Sequence, residues 1–196
     1  MSRQMAFYVE QKHCTGCNTC QIACKDKNNL SRGERFRQVH AYEGGSFTVE
    51  NKVIEHNIYA YWVSVSCNHC INPHCVTVCP SGAIDKRAED GLVLIDSERC
   101  TGCRRCLAAC PYQAPQFDVT TCKMKKCDFC QDLLKEGKVP VCISACPMRV
   151  LGYGELKELQ KKYGYANWVK GLPDTTELKP AWVLTPHRDA IDLRKD

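Results

Sequence analysis

Sixteen of the seventeen cysteines in this 196-residue chain fall into four sets of four, and no other feature constrains its fold so strongly. The first set, Cys14, Cys17, Cys20 and Cys24, and the third, Cys100, Cys103, Cys106 and Cys110, share the spacing C-x2-C-x2-C-x3-C. The second, Cys67, Cys70, Cys75 and Cys79, is stretched by two residues before its third member. The fourth, Cys127, Cys130, Cys142 and Cys146, keeps C-x2-C and C-x3-C on either side of an eleven-residue insert. Three thiolates two residues apart can face inward from one tight turn while the fourth is carried away, which is a spacing for [4Fe-4S] clusters. Four such sets imply four clusters and a protein that carries electrons.

Two other uses of cysteine fit less well. The sets are too tightly spaced for a disulfide framework, and the opening MSRQMAFYVEQKH has no apolar signal core. Structural zinc explains two C-x2-C pairs, but not a third cysteine two residues on and a fourth three further with proline after it. The longest apolar stretches, such as Tyr59 to Val65, are too short to span a bilayer, so membrane contact is expected only through a partner. The formal charge of +5 counts every cysteine as neutral. Four clusters at about −2 each would bring it to about −3, which removes the main support for nucleic-acid binding. Lys25, Arg104, Arg105, Lys125 and Lys126 lie beside cysteines and read either as solvated charge or as groups that tune cluster potential. With aromatics at 8%, much of the interior is expected to be cluster, and the iron-free form to fold badly.

The repeat has a pairing logic. In two-cluster ferredoxins the first three cysteines of a run bind one cluster and the fourth reaches the other, so two runs make one unit. Spacing leaves both a nested arrangement and a first-with-second pairing open. Between runs the pattern predicts strands at Ala6 to Val9, Ile58 to Val65 and Leu92 to Ile95, and a helix over Cys20 to Asn28. It predicts a hairpin of Arg37 to Tyr42 with Phe47 to Val49 around Gly44 and Gly45, and a helix over Cys127 to Lys135 ending at Gly137 and Pro140. Glu155 to Lys162 reads as an exposed helix with apolar Leu156 and Leu159. From Gly164 onward, Pro173, Pro180 and Pro186 argue for an extended tail lying on a partner or across the protein's own surface.

Gly16 and Gly102 give the two CTGC loops a backbone free of side chains. Pro80, Pro111 and Pro147 follow the last cysteine of sets two, three and four, while Lys25 holds that place in set one. Cys122 with Cys127 and Cys130 would open a plant-type [2Fe–2S] site, but that would strand Cys142 or Cys146, so it reads as a bystander. His69 and His74 lie inside the second set, where four cysteines already suffice, and read as supporting or surface groups. His13, His40, His56 and His187 show no ligand spacing. Tyr61, Trp62, Tyr112 and Phe129 read as packing.

The motifs CTGCNTCQIACKD, SCNHC, VCPSGAI, CTGCRRCLAACPYQAPQ and KCDFC, with the stretch from Pro140 to Leu151, resemble the four-cluster electron-transfer subunits of molybdopterin oxidoreductases, and among them the dimethyl sulfoxide reductase type. The resemblance covers roughly Ala6 to Tyr153. It implies an α+β fold of two interlocked ferredoxin-like units with hairpin insertions: 1–55 with 120–163, and 56–119, followed by a tail over 164–196. It implies nested ligation: Cys14, Cys17, Cys20 and Cys146 on one cluster; Cys24, Cys127, Cys130 and Cys142 on its neighbour; Cys67, Cys70, Cys75 and Cys110 on a third; Cys79, Cys100, Cys103 and Cys106 on a fourth. The partners implied are a molybdopterin catalytic subunit facing the first-and-fourth-run half and a quinol-oxidising membrane anchor facing the other. The protein would then be membrane-associated through those partners, on either face, and non-catalytic. The same relay serving polysulfide, thiosulfate, tetrathionate or formate chemistry is the near alternative, and a zinc-holding scaffold the distant one.

Overall fold

The computed structural model describes residues 3–50 and 52–191. Its repeating unit is a short strand, a thiol loop and a short helix. Strand β1 (Met5–Glu10) enters the first cysteine set and helix α1 (Thr19–Lys27) leaves it. An insert of β2 (Arg37–Gly44), β3 (Phe47–Glu50), β4 (Val53–His56) and β5 (Tyr59–Ser66) leads into the second set, whose helix is α2 (His74–Thr77). Strands β6 (Ile84–Lys86) and β7 (Val93–Ile95) join the second set to the third, followed by α3 (Arg105–Ala108). Strands β8 (Gln116–Asp118) and β9 (Lys123–Lys125) join the third to the fourth, where α4 (Gln131–Lys135) fills the insert and α5 (Val141–Ser144) carries Cys142. Strand β10 (Leu151–Glu155), helix α6 (Leu156–Tyr163) and strand β11 (Trp182–Thr185) complete the fold.

Strand pairing is nested. The strand before set one, β1, pairs antiparallel with β10, the strand after set four, while β6 after set two pairs with β7 before set three. Helix α1 packs on α5 and α2 on α3. The pleat sorts β1 into two faces. Phe7 and Val9 join the core that contains Cys20, Cys24, Cys127, Cys142 and Cys146, and Ala6 and Tyr8 face α6. Proline after the last cysteine stops a helix early, because it disfavours the α conformation in the residue before it. Helices α2, α3 and α5 are four residues long, whereas α1, with Lys25 in the proline's place, runs on to nine.

Four sequence expectations need correction. The hairpin around Gly44 and Gly45 does not form: β2 pairs with β5 over eight residues from Arg37↔Ser66 to Gly44↔Tyr59, and β3 pairs with β4. Long-range pairing wins because β5 contributes buried Tyr61, Val63 and Val65, whereas Phe47 and Val49 stay exposed. Helix α4 begins at Gln131 rather than Cys127, since Phe129 and Cys130 both adopt left-handed backbone (φ 66° and 51°) that a right-handed helix cannot include. Its end is as expected: Lys138 N–H donates to the Leu133 carbonyl and Gly137 N–H to Leu134, with Gly137 left-handed. Helix α6 is exposed on one face only, because Leu156 and Leu159 are buried against Ala6, Tyr8, Ala181 and Val183.

The segment after Gly164 is the fourth correction, and its last five residues lie outside the described residues. It does cross the protein's own surface at first, but β11 then joins the main sheet parallel to β1, with Phe7↔Trp182 and Glu10↔Thr185 in register. Prolines forbid long elements there and still permit a four-residue strand. On the way, the Lys179 and Leu178 carbonyls accept from Ile71 and Asn72, and Ala181 N–H donates to the Asn68 carbonyl. The segment therefore ties the second thiol loop to the first sheet. Trp182, 2% exposed, is anchored by its indole N–H to the Asn167 carbonyl at 2.8 Å. Trp182→Ala is expected to destabilise the iron-loaded protein by about 3–5 kcal/mol, read as a lowered urea midpoint under anaerobic conditions.

Candidate iron–sulfur centres

The third residue of the opening C-x2-C loop of each set has positive φ: Gly16 at 68°, His69 at 42°, Gly102 at 69° and Phe129 at 66°. Glycine appears where something presses on the turn. A Cβ at Gly16 would overlap the Trp62 indole, and one at Gly102 would overlap the Cys122 carbonyl oxygen. At the other two loops a larger residue is accommodated because it is core. His69 and Phe129 are 1% and 0% exposed and meet edge to face at 5.5 Å. The left-handed turn also aims backbone N–H groups at sulfur: Gly102 N lies 3.4 Å from Cys100 Sγ and Phe129 N 3.4 Å from Cys127 Sγ. Sequence reasoning credited this turn only to the glycines, and nothing in His69 or Phe129 as residue types reveals it.

All seventeen cysteines are free thiols. Cys14, Cys17, Cys20 and Cys146 line one cavity of about 320 Å³, its open mouth included. Through-space interactions group the others: Cys24 with Cys142 and Cys130, Cys127 with Cys24 and Cys142, and Cys70 with Cys67, Cys110 and Cys75. Cys75, Cys79, Cys100 and Cys106 belong to one cluster of packed side chains. The groups also lie within electrostatic range of one another in sequence. Cys20 interacts with Cys142, Cys127 with Cys67, and Cys75 with Cys106, so the thiols form a line from exposed Cys17 to exposed Cys103.

Burial pushes the thiols of Cys24, Cys70 and Cys75 up to about 12 and that of Cys106 to about 11. The neighbouring buried cations are Arg37, 2% exposed, and Lys126, 6% exposed, with Lys86 half-buried. Among the described residues none of the three has a carboxylate within ion-pair distance. Lys126 Nζ donates to the Val93 and Cys127 carbonyls, and Lys86 Nζ to Gln4 Oε1 and the Cys70 and Gly91 carbonyls. His69 Nδ1 accepts from Val93 N–H at 2.9 Å, which puts the proton of the neutral ring on Nε2, a buried donor with no partner. Burial, then the charges of Lys126 and Lys86, hold His69 well below its ordinary pKa, so it stays neutral. Buried cations and an orphan donor beside buried thiols fit an anionic, sulfide-bearing group held by those thiols.

The remaining candidates fall into place. Cys122 is exposed, with its Sγ 3.8 Å from the Val119 carbonyl. His13, His56 and His74 are exposed. Lys25 is engaged with the Leu30 carbonyl at 2.6 Å, Lys125 bridges Glu34 and Asp118, and Arg104 lies over the Phe117 ring at 3.8 Å. Arg105 is exposed. Tyr61 and Phe129 are core and Tyr112 donates to or accepts from Thr175 Oγ1 at 2.7 Å, so all three pack as expected. Arg37 was missed, because an arginine opening a strand carries no signal that it will be buried.

Fold and thiol sets together define a mixed α/β protein that binds [4Fe-4S] clusters. A family model for the 4Fe-4S dicluster domain matches residues 58–156. One chain of the anaerobic dimethyl sulfoxide reductase of Escherichia coli (strain K12) is 45% identical over 190 residues, 97% of the present sequence and 92% of that protein. Thiosulfate reductase electron transfer subunit PhsB of Salmonella typhi is 37% identical over 81% of the present sequence and 79% of its own length. One subunit of the sulfite dehydrogenase of Allochromatium vinosum is 32% identical over 98% and 84%. This chain therefore belongs to the 4Fe-4S dicluster family and is an iron–sulfur electron-transfer subunit.

Two outcomes are expected of the loops and the thiols. Gly102→Ala should cost more than the about 1–2 kcal/mol of a left-handed alanine, because of the Cys122 carbonyl. Gly137→Ala, left-handed but in open space, should cost only that backbone penalty, and urea midpoints of the two iron-loaded variants measure the difference. Thiols raised above their ordinary 9.0 are protonated near neutrality, so iron, which binds thiolate, must displace protons. Reconstitution of the iron-free protein is expected to release protons and to become more complete from about pH 7 to about pH 9. The iron-free fold shows the opposite trend, losing these thiols' contribution as pH rises from 9.0 through about 12, since the unfolded state ionises first.

Proposed function

We propose that this protein is the four-cluster relay subunit of a membrane-associated molybdopterin oxidoreductase of the dimethyl sulfoxide reductase type. The observation that carries the reading is the continuous line of interacting thiols between exposed Cys17 and exposed Cys103. Cys14, Cys17, Cys20 and Cys146 would hold the first cluster, and Cys24, Cys127, Cys130 and Cys142 the second. Cys67, Cys70, Cys75 and Cys110 would hold the third, and Cys79, Cys100, Cys103 and Cys106 the fourth. The nested pairing of β1 with β10 and β6 with β7 supports two interlocked ferredoxin-like units, 1–55 with 120–163 and 56–119. The segment 164–196 is better viewed as a clamp across both units than as a separate domain.

When bound, the clusters supply reversible one-electron redox chemistry. The protein's own part is to hold and insulate. Thiol loops fix ligand direction through N–H to sulfur contacts, Phe129 and Tyr61 exclude water, and His69 Nε2–H offers a hydrogen bond that favours added negative charge. There is no catalytic site in this reading. Substrate chemistry belongs to a molybdopterin partner facing the first-and-fourth-run half, and quinol oxidation to a membrane anchor facing the other. No helix among the described residues is long and apolar enough to cross a membrane, so association would run through that anchor, on either face. The 45% identity to a dimethyl sulfoxide reductase protein, against 37% and 32% to the thiosulfate reductase and sulfite dehydrogenase proteins, favours the first type.

Anaerobically purified protein is expected to contain roughly sixteen iron with matching acid-labile sulfide, and interacting [4Fe-4S] signals in electron paramagnetic resonance after reduction. Zinc without sulfide would replace the relay with a scaffold. About fourteen iron with a [2Fe–2S] signal would make Cys122 a ligand.

A further inference from the structure

Arg37 is the most fully enclosed cation beside the thiols. It opens β2, its guanidinium lies over the Phe7 ring at 4.7 Å, and all its hydrogen bonds go to neutral oxygens. Nη1 donates to the Ser64 carbonyl at 3.2 Å and Ser64 Oγ at 3.1 Å, and Nη2 donates to Ser66 Oγ at 3.0 Å. Ser64 Oγ in turn lies 3.3 Å from Cys20 Sγ. An unpaired buried cation costs several kcal/mol and persists only beside compensating negative charge. The groups that interact with Arg37 are the thiols of Cys142, Cys20, Cys127 and Cys24. Cys20 belongs to the first proposed quartet and the other three to the second, so the arginine faces both. No arginine of the 56–119 half is buried; its best-enclosed cations are Lys86 from within it and Lys126 from outside, both held chiefly by backbone carbonyls.

We propose that Arg37 is a shared electrostatic tuning residue: its fixed positive charge, buried between the first and second quartets, raises the reduction potential of both clusters and leaves the other two unchanged. Reduction adds an electron to a cluster, and a cation in a low-dielectric interior stabilises the more negative state. Because Arg37 does not titrate, the effect is independent of pH across the working range. The inference rests on the four-cluster reading.

The test is a potentiometric titration, followed by electron paramagnetic resonance, of anaerobically purified full-length protein as wild type, Arg37→Gln and Arg37→Lys, with iron and sulfide counted in each. Two of four potentials are expected to fall in Arg37→Gln and to recover most of the shift in Arg37→Lys, which keeps the charge and loses the forked geometry. Selective loss of two clusters in Arg37→Gln with retention in Arg37→Lys would support the same role. Unmoved potentials in a fully loaded Arg37→Gln would overturn it, as would equal falls in both variants or equal loss of iron in both, since each of these makes the guanidinium structural. If wild type itself lacks four clusters, the relay reading fails instead.

Discussion

The structure rests on one electrostatic constraint: thiols are buried beside cations that, among the described residues, have no carboxylate within ion-pair distance. Burial opposes the charged form of both, pushing Cys24, Cys70 and Cys75 to about 12 and leaving Arg37 hydrogen-bonded only to serine and carbonyl oxygens. A buried cation is costly in an apolar interior without negative charge beside it, and the thiols supply none while they stay protonated. A thiolate-bound anionic cluster resolves both at once. Around the buried cysteines the main core packs Phe7 and Val9 of β1, Tyr61, Val63 and Val65 of β5 and Trp182 and Leu184 of β11.

Geometry is delivered by a backbone device used four times. A left-handed third residue turns the opening C-x2-C loop of each set, and at Gly102 and Phe129 it aims the amide hydrogen at sulfur, with glycine or a bulky ring equally able to stand there. The two outer loops use glycine because Trp62 and the Cys122 carbonyl press against them. The two inner loops use His69 and Phe129, whose rings meet in the centre where Cys127 and Cys67 interact. One turn thus serves two environments, exposed at the ends of the thiol line and packed at its middle.

Connections that are distant in sequence hold these loops in register. Strand β2 passes over the adjacent β3 to pair with β5, which delivers Arg37 to Ser64 and Ser66. The segment after α6 bonds to the Asn68 to Asn72 stretch before entering the sheet as β11. Each choice follows from burial: a strand carrying Tyr61, Val63 and Val65, or Trp182, Val183 and Leu184, gains more from the core than a nearer pairing that leaves its side chains exposed.

The sequence by itself determined the chemistry and the local units. Thiolate spacing is set by a few bonds of backbone, so the cysteine runs, the strands entering the first three and the helix stop at Gly137 were legible, while the short strand entering the fourth was not. What only the tertiary structure decided was everything that depends on partners far along the sequence. Arg37 reads as an ordinary surface charge until β5 covers it, and the positive φ of His69 and Phe129 is invisible in their residue types. The prolines of the last segment gave no hint that Trp182 lies against Phe7. Spacing is a local property fixed by covalent geometry, whereas burial is a sum over the whole fold, and a residue's charge or ring acquires its role only from what is packed around it.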